Sequence, residues 1–205
     1  MAKRTIGVGL ISVGWMGNLH TRAFEALPKL YPELNIDIKL VIAADSSEER
    51  SQYAKNVLGY RESSLDYRDV LKHPEVDVVS ICSPNFLHKE MGVAAAKAGK
   101  AFWIEKPVGR GAVETLEVEA AVNEAQVETT IGFNYRHPPA VEYAKKIIAE
   151  GKLGEITNVR GSYFADYSAE PNGALSWRFI REFAGNGVLG DLMGHLVDQV
   201  QYILG

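Results

Sequence analysis

Short apolar runs and longer amphipathic stretches alternate along the first two thirds of the chain. Residues 5–11 are almost wholly apolar and end at a turn, which predicts a buried strand. Residues 15–27 have helical spacing, and Pro28 is expected to stop that helix. Residues 36–44 read as a second strand, polar at its start and apolar at its end. Helix 46–58 follows, with Ser46 or Ser47 as cap and Glu48 and Glu49 in its first turn. A short helix at 66–71 closes near His73-Pro74. Strand 76–82, helix 85–98 with Gly99 as its C-cap, strand 101–104, helix 113–125 and strand 128–131 complete the pattern. Strands alternating with helices of this size build βαβ units. The predicted fold is therefore α/β, a Rossmann-type doubly wound parallel sheet with its ligand edge at the strand C-termini.

The rhythm changes near Gly132. Pro138-Pro139 opens a helix over 140–150, closed by Gly151-Lys-Leu-Gly154. Residues 156–164 alternate like a half-solvated strand of an antiparallel sheet, and 188–204 contain a last helix. One strand cannot make a sheet. The division expected is therefore a dinucleotide-binding domain at 1–132 and, at 133–205, the first and incomplete part of an α+β domain with an open, largely antiparallel sheet.

Composition narrows the partners. The 205 residues carry a net charge of −4, with 46% hydrophobic and 23% charged residues. No basic stripe is available to displace counterions from phosphates, which argues against nucleic acid. The apolar run 6–13 is too short and glycine-rich for a membrane span or a signal peptide. The lone Cys82 fits a reducing compartment, so a cytoplasmic protein without membrane association is expected. No metal is implied, because His73, His88, His137 and His195 are scattered without ligand spacing.

Chemistry first enters after the first strand. Ser12-Val-Gly-Trp-Met-Gly17 matches the G-x-G-x-x-G dinucleotide fingerprint except at Ser12. Gly14 would admit the pyrophosphate to the backbone, and Gly17 would let the helix pack on its strand. The helix N-terminus offers free N–H groups. Asp45 ends the second strand, where a carboxylate can accept ribose hydroxyls and repel a 2′-phosphate. NAD is thus expected, with NADP the less favoured cofactor. At the end of a later strand, Ile104-Glu-Lys-Pro107 puts Lys106 at the ligand edge, able to hydrogen-bond a substrate hydroxyl.

These motifs, together with Ser83-Pro-Asn-Phe-Leu-His88, Gly132-Phe-Asn-Tyr-Arg136 and Gly190-Asp-Leu-Met-Gly-His195, occur in the order that resembles the Gfo/Idh/MocA family. The stretches around Trp177 and Gly185 resemble its inositol- and levoglucosan-dehydrogenase-like branch. The resemblance implies an NAD(P)-dependent oxidoreductase acting on a secondary hydroxyl of a sugar, anhydrosugar or cyclitol, or on the matching ketone. It implies Lys106, Asp191 and His195 as the catalytic set. His195 would exchange the hydroxyl proton, because imidazole titrates near neutrality. Cofactor contacts would come from Ser12, Gly14, Trp15, Met16, Gly17, Asp45, Ser83, Pro84, Asn85, His88, Glu105, Lys106, Trp177 and Arg178. Asn134 and Arg136 would face a sugar or polyol substrate, and a homo-oligomer, dimer or tetramer, is implied for the full-length protein. Family members run well beyond 300 residues and complete their open sheet after this point. For His88 a helix-capping role stays open, and for Trp177 simple packing. The alternative to an enzyme is an NAD(P)-binding sensor or subunit that kept the fold without turnover.

Overall fold

In the computed structural model, which describes residues 3–205, β1 (Arg4–Ile11), β2 (Ile36–Ala44), β3 (Glu62–Ser64), β4 (Val78–Ile81), β5 (Ala101–Ile104) and β6 (Thr129–Ile131) form one parallel sheet. The order is β3-β2-β1-β4-β5-β6. Between them run α1 (Trp15–Leu30), α2 (Glu48–Asn56), α3 (Tyr67–Lys72), α4 (Asn85–Lys97) and α5 (Ala112–Ala125). The strand order reverses between β1 and β4, so the crossovers on either side diverge and leave a crevice at the strand C-termini.

Register decides what reaches that crevice. Ile11 pairs with Ala44 and Ile81, Ile81 with Ile104, and Ile104 with Ile131. The strands therefore end level. Their next residues, Ser12, Asp45, Cys82, Glu105 and Gly132, emerge along one edge.

The two sheet faces explain the apolar runs. Val41, Val79, Ile81, Phe102 and Ile104 pack in one cluster, while Leu10, Ala43 and Tyr60 pack in another. Buried side chains of this size each stabilise by about 1.5–3 kcal/mol. A parallel sheet covered on both faces needs apolar residues at successive positions, so these strands read as runs instead of alternating.

Four features depart from expectation. Helix α1 passes through Pro28 and ends at Leu30, capped by Tyr31, whose N–H donates to the Leu27 carbonyl. Pro28 falls in the last turn, where its missing N–H forfeits a single intrahelical bond. Strand β3 is polar, Glu-Ser-Ser, and its backbone ladder to Ile42–Ala44 holds it at the sheet edge without an apolar signature. Residues 156–164, expected as a strand, carry no ladder. An alternating segment becomes a strand only against a partner, and among the described residues none pairs with it. The final helix is α8 (Gly194–Leu204), but a π-helical turn at Leu189–Met193 leads into it. Such wide turns are most often found at functional sites.

Beyond β6, a short 3₁₀ turn (Asn134–Arg136) leads to α6 (Pro139–Ala149), which packs on α8. The pair is pinned by the Tyr202 hydroxyl donating to Glu142 at 2.8 Å, and the 3₁₀ turn is held to α8 by a two-pronged Arg136–Asp198 ion pair. A four-residue helix, α7 (Arg181–Ala184), lies against α4.

Candidate active site

The glycine loop comes first. Ser12 holds a left-handed backbone, φ 75°, where a glycine is usual. Its N–H donates to the Ala44 carbonyl at 2.8 Å, which fixes the turn. A Cβ on Gly17 would run into the Ser12 carbonyl oxygen, so the helix can approach the loop only with glycine there. A Cβ on Gly14 would meet no atom within 4 Å. Packing therefore does not demand Gly14; the open space over it is what a pyrophosphate would use. Helix α1 begins without a side-chain cap and without an acid in its first turn. Its free N–H groups remain available to an anion. Trp15 is exposed and Met16 half-buried at this N-terminus.

Asp45 is 8% exposed. One carboxylate oxygen accepts from the Val13 N–H at 2.8 Å, the other from the Ser47 N–H at 2.9 Å. The residue therefore shapes the glycine loop as well as presenting charge at the end of β2.

At the end of β4, Ser83 is buried and its hydroxyl lacks a protein partner. Pro84 caps α4, and Asn85 opens it. Asn85 lines a cavity of about 310 Å³ together with Tyr163, Tyr167, Trp177, Arg178 and Asp191. Arg178 lies over the Trp177 ring at 4.5 Å, and its Nε is 3.6 Å from Asp191. His88 does not line this cavity. It is 1% exposed, and its two ring nitrogens face the carbonyls of Ser83 and Pro107, each at 2.6 Å. Burial lowers its pKa. The ring thus ties two strand-end loops together, with both nitrogens engaged by protein carbonyls. Glu105 is likewise buried, at 7% exposure, and its Oε1 accepts from His20 at 3.0 Å.

Lys106 reaches the second half of the chain. Its Nζ donates to the Asp191 carbonyl and to Asp191 Oδ1, both at 2.9 Å. The Tyr167 hydroxyl donates to the other carboxylate oxygen at 2.8 Å. Burial pushes the Asp191 carboxyl up, but Lys106, Tyr167 and Arg178 together carry it below the ordinary value. His195 is 6% exposed, and its Nδ1 has no protein partner. Its pKa is lowered by burial and by the neighbouring Lys106 charge. The Tyr135 ring stacks on it at 4.3 Å, with Phe133 and Tyr163 edge-on. The Tyr135 and Tyr163 hydroxyls are 2.9 Å apart, and that bond drives the Tyr163 pKa up to about 12.

The structure therefore gathers Lys106, Asp191 and His195. Of the two expected substrate residues, Asn134 is exposed, while Arg136 is committed to Asp198 and to the Tyr202 face. Tyr135, between them in sequence, is the one of the three that stacks on His195. The sequence reading passed over Tyr135, Tyr163, Tyr167 and His20. Tyr135 lay inside a motif already singled out, and His20 sat one turn past the glycine loop.

Of three buried side-chain atoms without a partner, Ser83 Oγ, Trp103 Nε1 and His195 Nδ1, the first and last, with the open space over Gly14, fit a dinucleotide in the crevice and a hydroxyl-bearing ligand beside it. The sheet order and the glycine loop define a dinucleotide-binding Rossmann-type fold. Residues 6–133 match the family model of an oxidoreductase family with an NAD-binding Rossmann fold, and residues 141–205 match the GFO/IDH/MocA C-terminal domain. The chain belongs to the Gfo/Idh/MocA oxidoreductase family. It is 40% identical over 203 residues to the levoglucosan dehydrogenase of Pseudarthrobacter phenanthrenivorans, covering 98% of this chain and 52% of that protein. It is 26% identical to the inositol 2-dehydrogenase of Rhizobium meliloti, covering 98% and 56%. A solved levoglucosan dehydrogenase in complex with NADH and levoglucosan superposes with a TM-score of 0.94 at 39% identity, covering 98% of this chain and 55% of that one. The chain spans about half the length of the curated relatives it matches. Among the described residues, no helix is long and apolar enough to cross a membrane.

Proposed function

We propose that the chain carries the cofactor-binding part and the reacting side chains of an NAD-dependent dehydrogenase. The reaction is oxidation of a secondary hydroxyl on a sugar, anhydrosugar or cyclitol, or reduction of the matching ketone. One observation carries this reading: Lys106, fixed by Asp191, stands beside a His195 whose Nδ1 is buried and unpartnered, at the ligand edge of a dinucleotide-type sheet.

Bound nicotinamide would supply the hydride acceptor. The residues do the rest. Lys106 donates to the substrate oxygen and stabilises negative charge on it as the proton leaves. His195, kept neutral by burial and by Lys106, takes that proton; for ketone reduction it gives one back. Asp191 anchors the ammonium and, with Tyr167 and Arg178, shapes the cavity beside it. Gly14 and the start of α1 receive the pyrophosphate, Ser83 and Asn85 line the path toward the nicotinamide, and Asp45 takes the adenosine ribose. Trp177 and Arg178 close the same cavity.

Around this core, a domain boundary follows residue 132, and the residues beyond it begin a substrate and oligomerisation domain. The full-length protein is read as a cytoplasmic homo-oligomer; its single cysteine suits a reducing setting. The levoglucosan and inositol dehydrogenase relatives support the substrate class. The test is the absorbance of reduced nicotinamide over a panel of anhydrosugars, sugars and cyclitols. Polyol-dependent reduction of NAD supports the proposal. NADH binding without turnover on any member would instead make the protein a cofactor-binding sensor or subunit.

A further inference from the structure

Behind the proposed centre lies a second polar cluster that this chemistry does not use. His20, on α1, is 8% exposed. Its Nδ1 is 2.6 Å from Ser80 Oγ on β4, and its Nε2 is 3.0 Å from Glu105 Oε1 at the end of β5. Ser80 is fully buried and Glu105 is 7% exposed. The Trp103 ring packs edge-on to the imidazole at 5.2 Å. The backbone of Gly132 lies so close to the Glu105 carboxylate that a Cβ there would collide with both oxygens. The order serine, histidine, acid is that of a nucleophile relay, but no substrate can reach a hydroxyl with zero exposure. The cluster must act through what it holds.

What it holds is Glu105, the immediate neighbour of Lys106. A carboxylate only accepts, so the hydrogen of this contact sits on His20 Nε2. His20 thereby joins the helix that begins at the glycine loop to the loop after β5 that carries Lys106. We propose that His20 is a positioning residue: it fixes the Glu105 carboxylate behind Lys106, so that a negative charge stays directed at His195 against the positive charge of Lys106. This rests on reading Lys106 and His195 as the reacting pair.

The groups facing His195 set the expected sign. Lys106 pushes its pKa down, whereas Glu105, Asp191 on the π-helical turn and Asp198 on α8 push it up. Tyr135 and Tyr163 pack on the ring through their aromatic faces and edges. The Glu105 charge also pushes upward at Cys82, just past β4, where burial does most of the raising, and at His88 on α4, where burial outweighs it and leaves the pKa lowered. Withdrawing that charge should therefore lower the His195 titration midpoint.

The experiment is a ¹⁵N NMR titration of the histidine side chains in the full chain, before any cofactor is added. The parent should show a hydrogen on His20 Nε2. Glu105→Gln keeps the side-chain shape and should lower the His195 midpoint by about half a unit or more. His20→Leu should shift it in the same direction, and His20→Gln, whose amide can still donate to Glu105, should restore the parent value. A His20 ring protonated at Nδ1 alone, or a folded Glu105→Gln protein with an unchanged His195 midpoint, overturns the proposal. Should His20→Leu fail to fold, the parent spectrum and Glu105→Gln decide. An NADH titration of the same samples reports the cofactor reading separately. Failure to bind NADH counts against that reading, while the His195 shift alone decides the role of His20.

Discussion

Two glycines of one loop should fail in opposite ways when given a methyl group. At Gly17 the new Cβ meets the Ser12 carbonyl oxygen far inside contact distance and lies 3.3 Å from Leu10 Cδ2. Backbone must move, since Ser12 is itself held by its bond to the Ala44 carbonyl. Overpacking of this kind costs about 1–3 kcal/mol. For a chain of this size each kcal/mol lowers the melting temperature by about 2–4 °C, so Gly17→Ala should melt about 2–12 °C below the parent. At Gly14 the Cβ meets nothing, and the backbone is extended with φ −85°. Loss of a tolerated N-cap and gain from a stiffer unfolded chain roughly cancel, each being within about 1 kcal/mol. Gly14→Ala should therefore melt with the parent. The space it fills is the pyrophosphate approach, so its NADH affinity should fall at least about tenfold, about 1.4 kcal/mol. Calorimetric melting and NADH titration of both variants read the two effects apart. A Gly14→Ala protein that melts like the parent and binds NADH equally well would refute the assignment of this loop to the cofactor.

Replacing Asp45 by alanine removes the two carboxylate oxygens that accept from the Val13 and Ser47 N–H groups, and the charge that repels a 2′-phosphate. It should lower stability by about 1–3 kcal/mol and narrow the preference for NADH over NADPH, measured by parallel titrations; unchanged discrimination would remove Asp45 from cofactor choice. Lys106→Met removes the cation that depresses both His195 and Asp191. Both midpoints should rise by NMR, turnover should vanish and NADH binding should persist. Stability should fall as pH drops below about 6.5. His195 and His88 have pKa values lowered in the fold, so the unfolded chain takes up protons first in that window. Denaturant midpoints at pH 7.5 and 5.5 check this, and His195→Asn should flatten the difference; an equal loss in that variant would show that His195 does not contribute.

The sheet was legible because a doubly covered parallel strand must be apolar at successive positions, and 6–11, 40–44 and 101–104 are, with 76–82 largely so. Strand β3 was hidden because its order comes from its ladder to β2 and not from its side chains. The segment 156–164 misled for the converse reason. Its alternation signals a face that can be buried, but pairing is a property of partners, not of one segment. Pro28 was read as a stop, although a proline in a last turn removes little. At the site, chemistry was easier to foresee than geometry. Lys106, Asp191 and His195 come together as expected from the resemblance. The partners of buried groups did not follow from spacing. His88 spans two carbonyls, Glu105 finds His20 across three elements, and Arg136 is taken by Asp198, leaving its neighbour Tyr135 to stack on His195.

The most direct measurement is a calorimetric titration of this chain with NADH and then with NADPH. Saturable NADH binding, clearly tighter than NADPH, is the predicted result, with the open loop at Gly14 receiving the pyrophosphate and Asp45 disfavouring the extra phosphate. Absence of binding to either nucleotide, in a chain that melts cooperatively, would contradict the cofactor site and with it the proposed dehydrogenase chemistry of these residues.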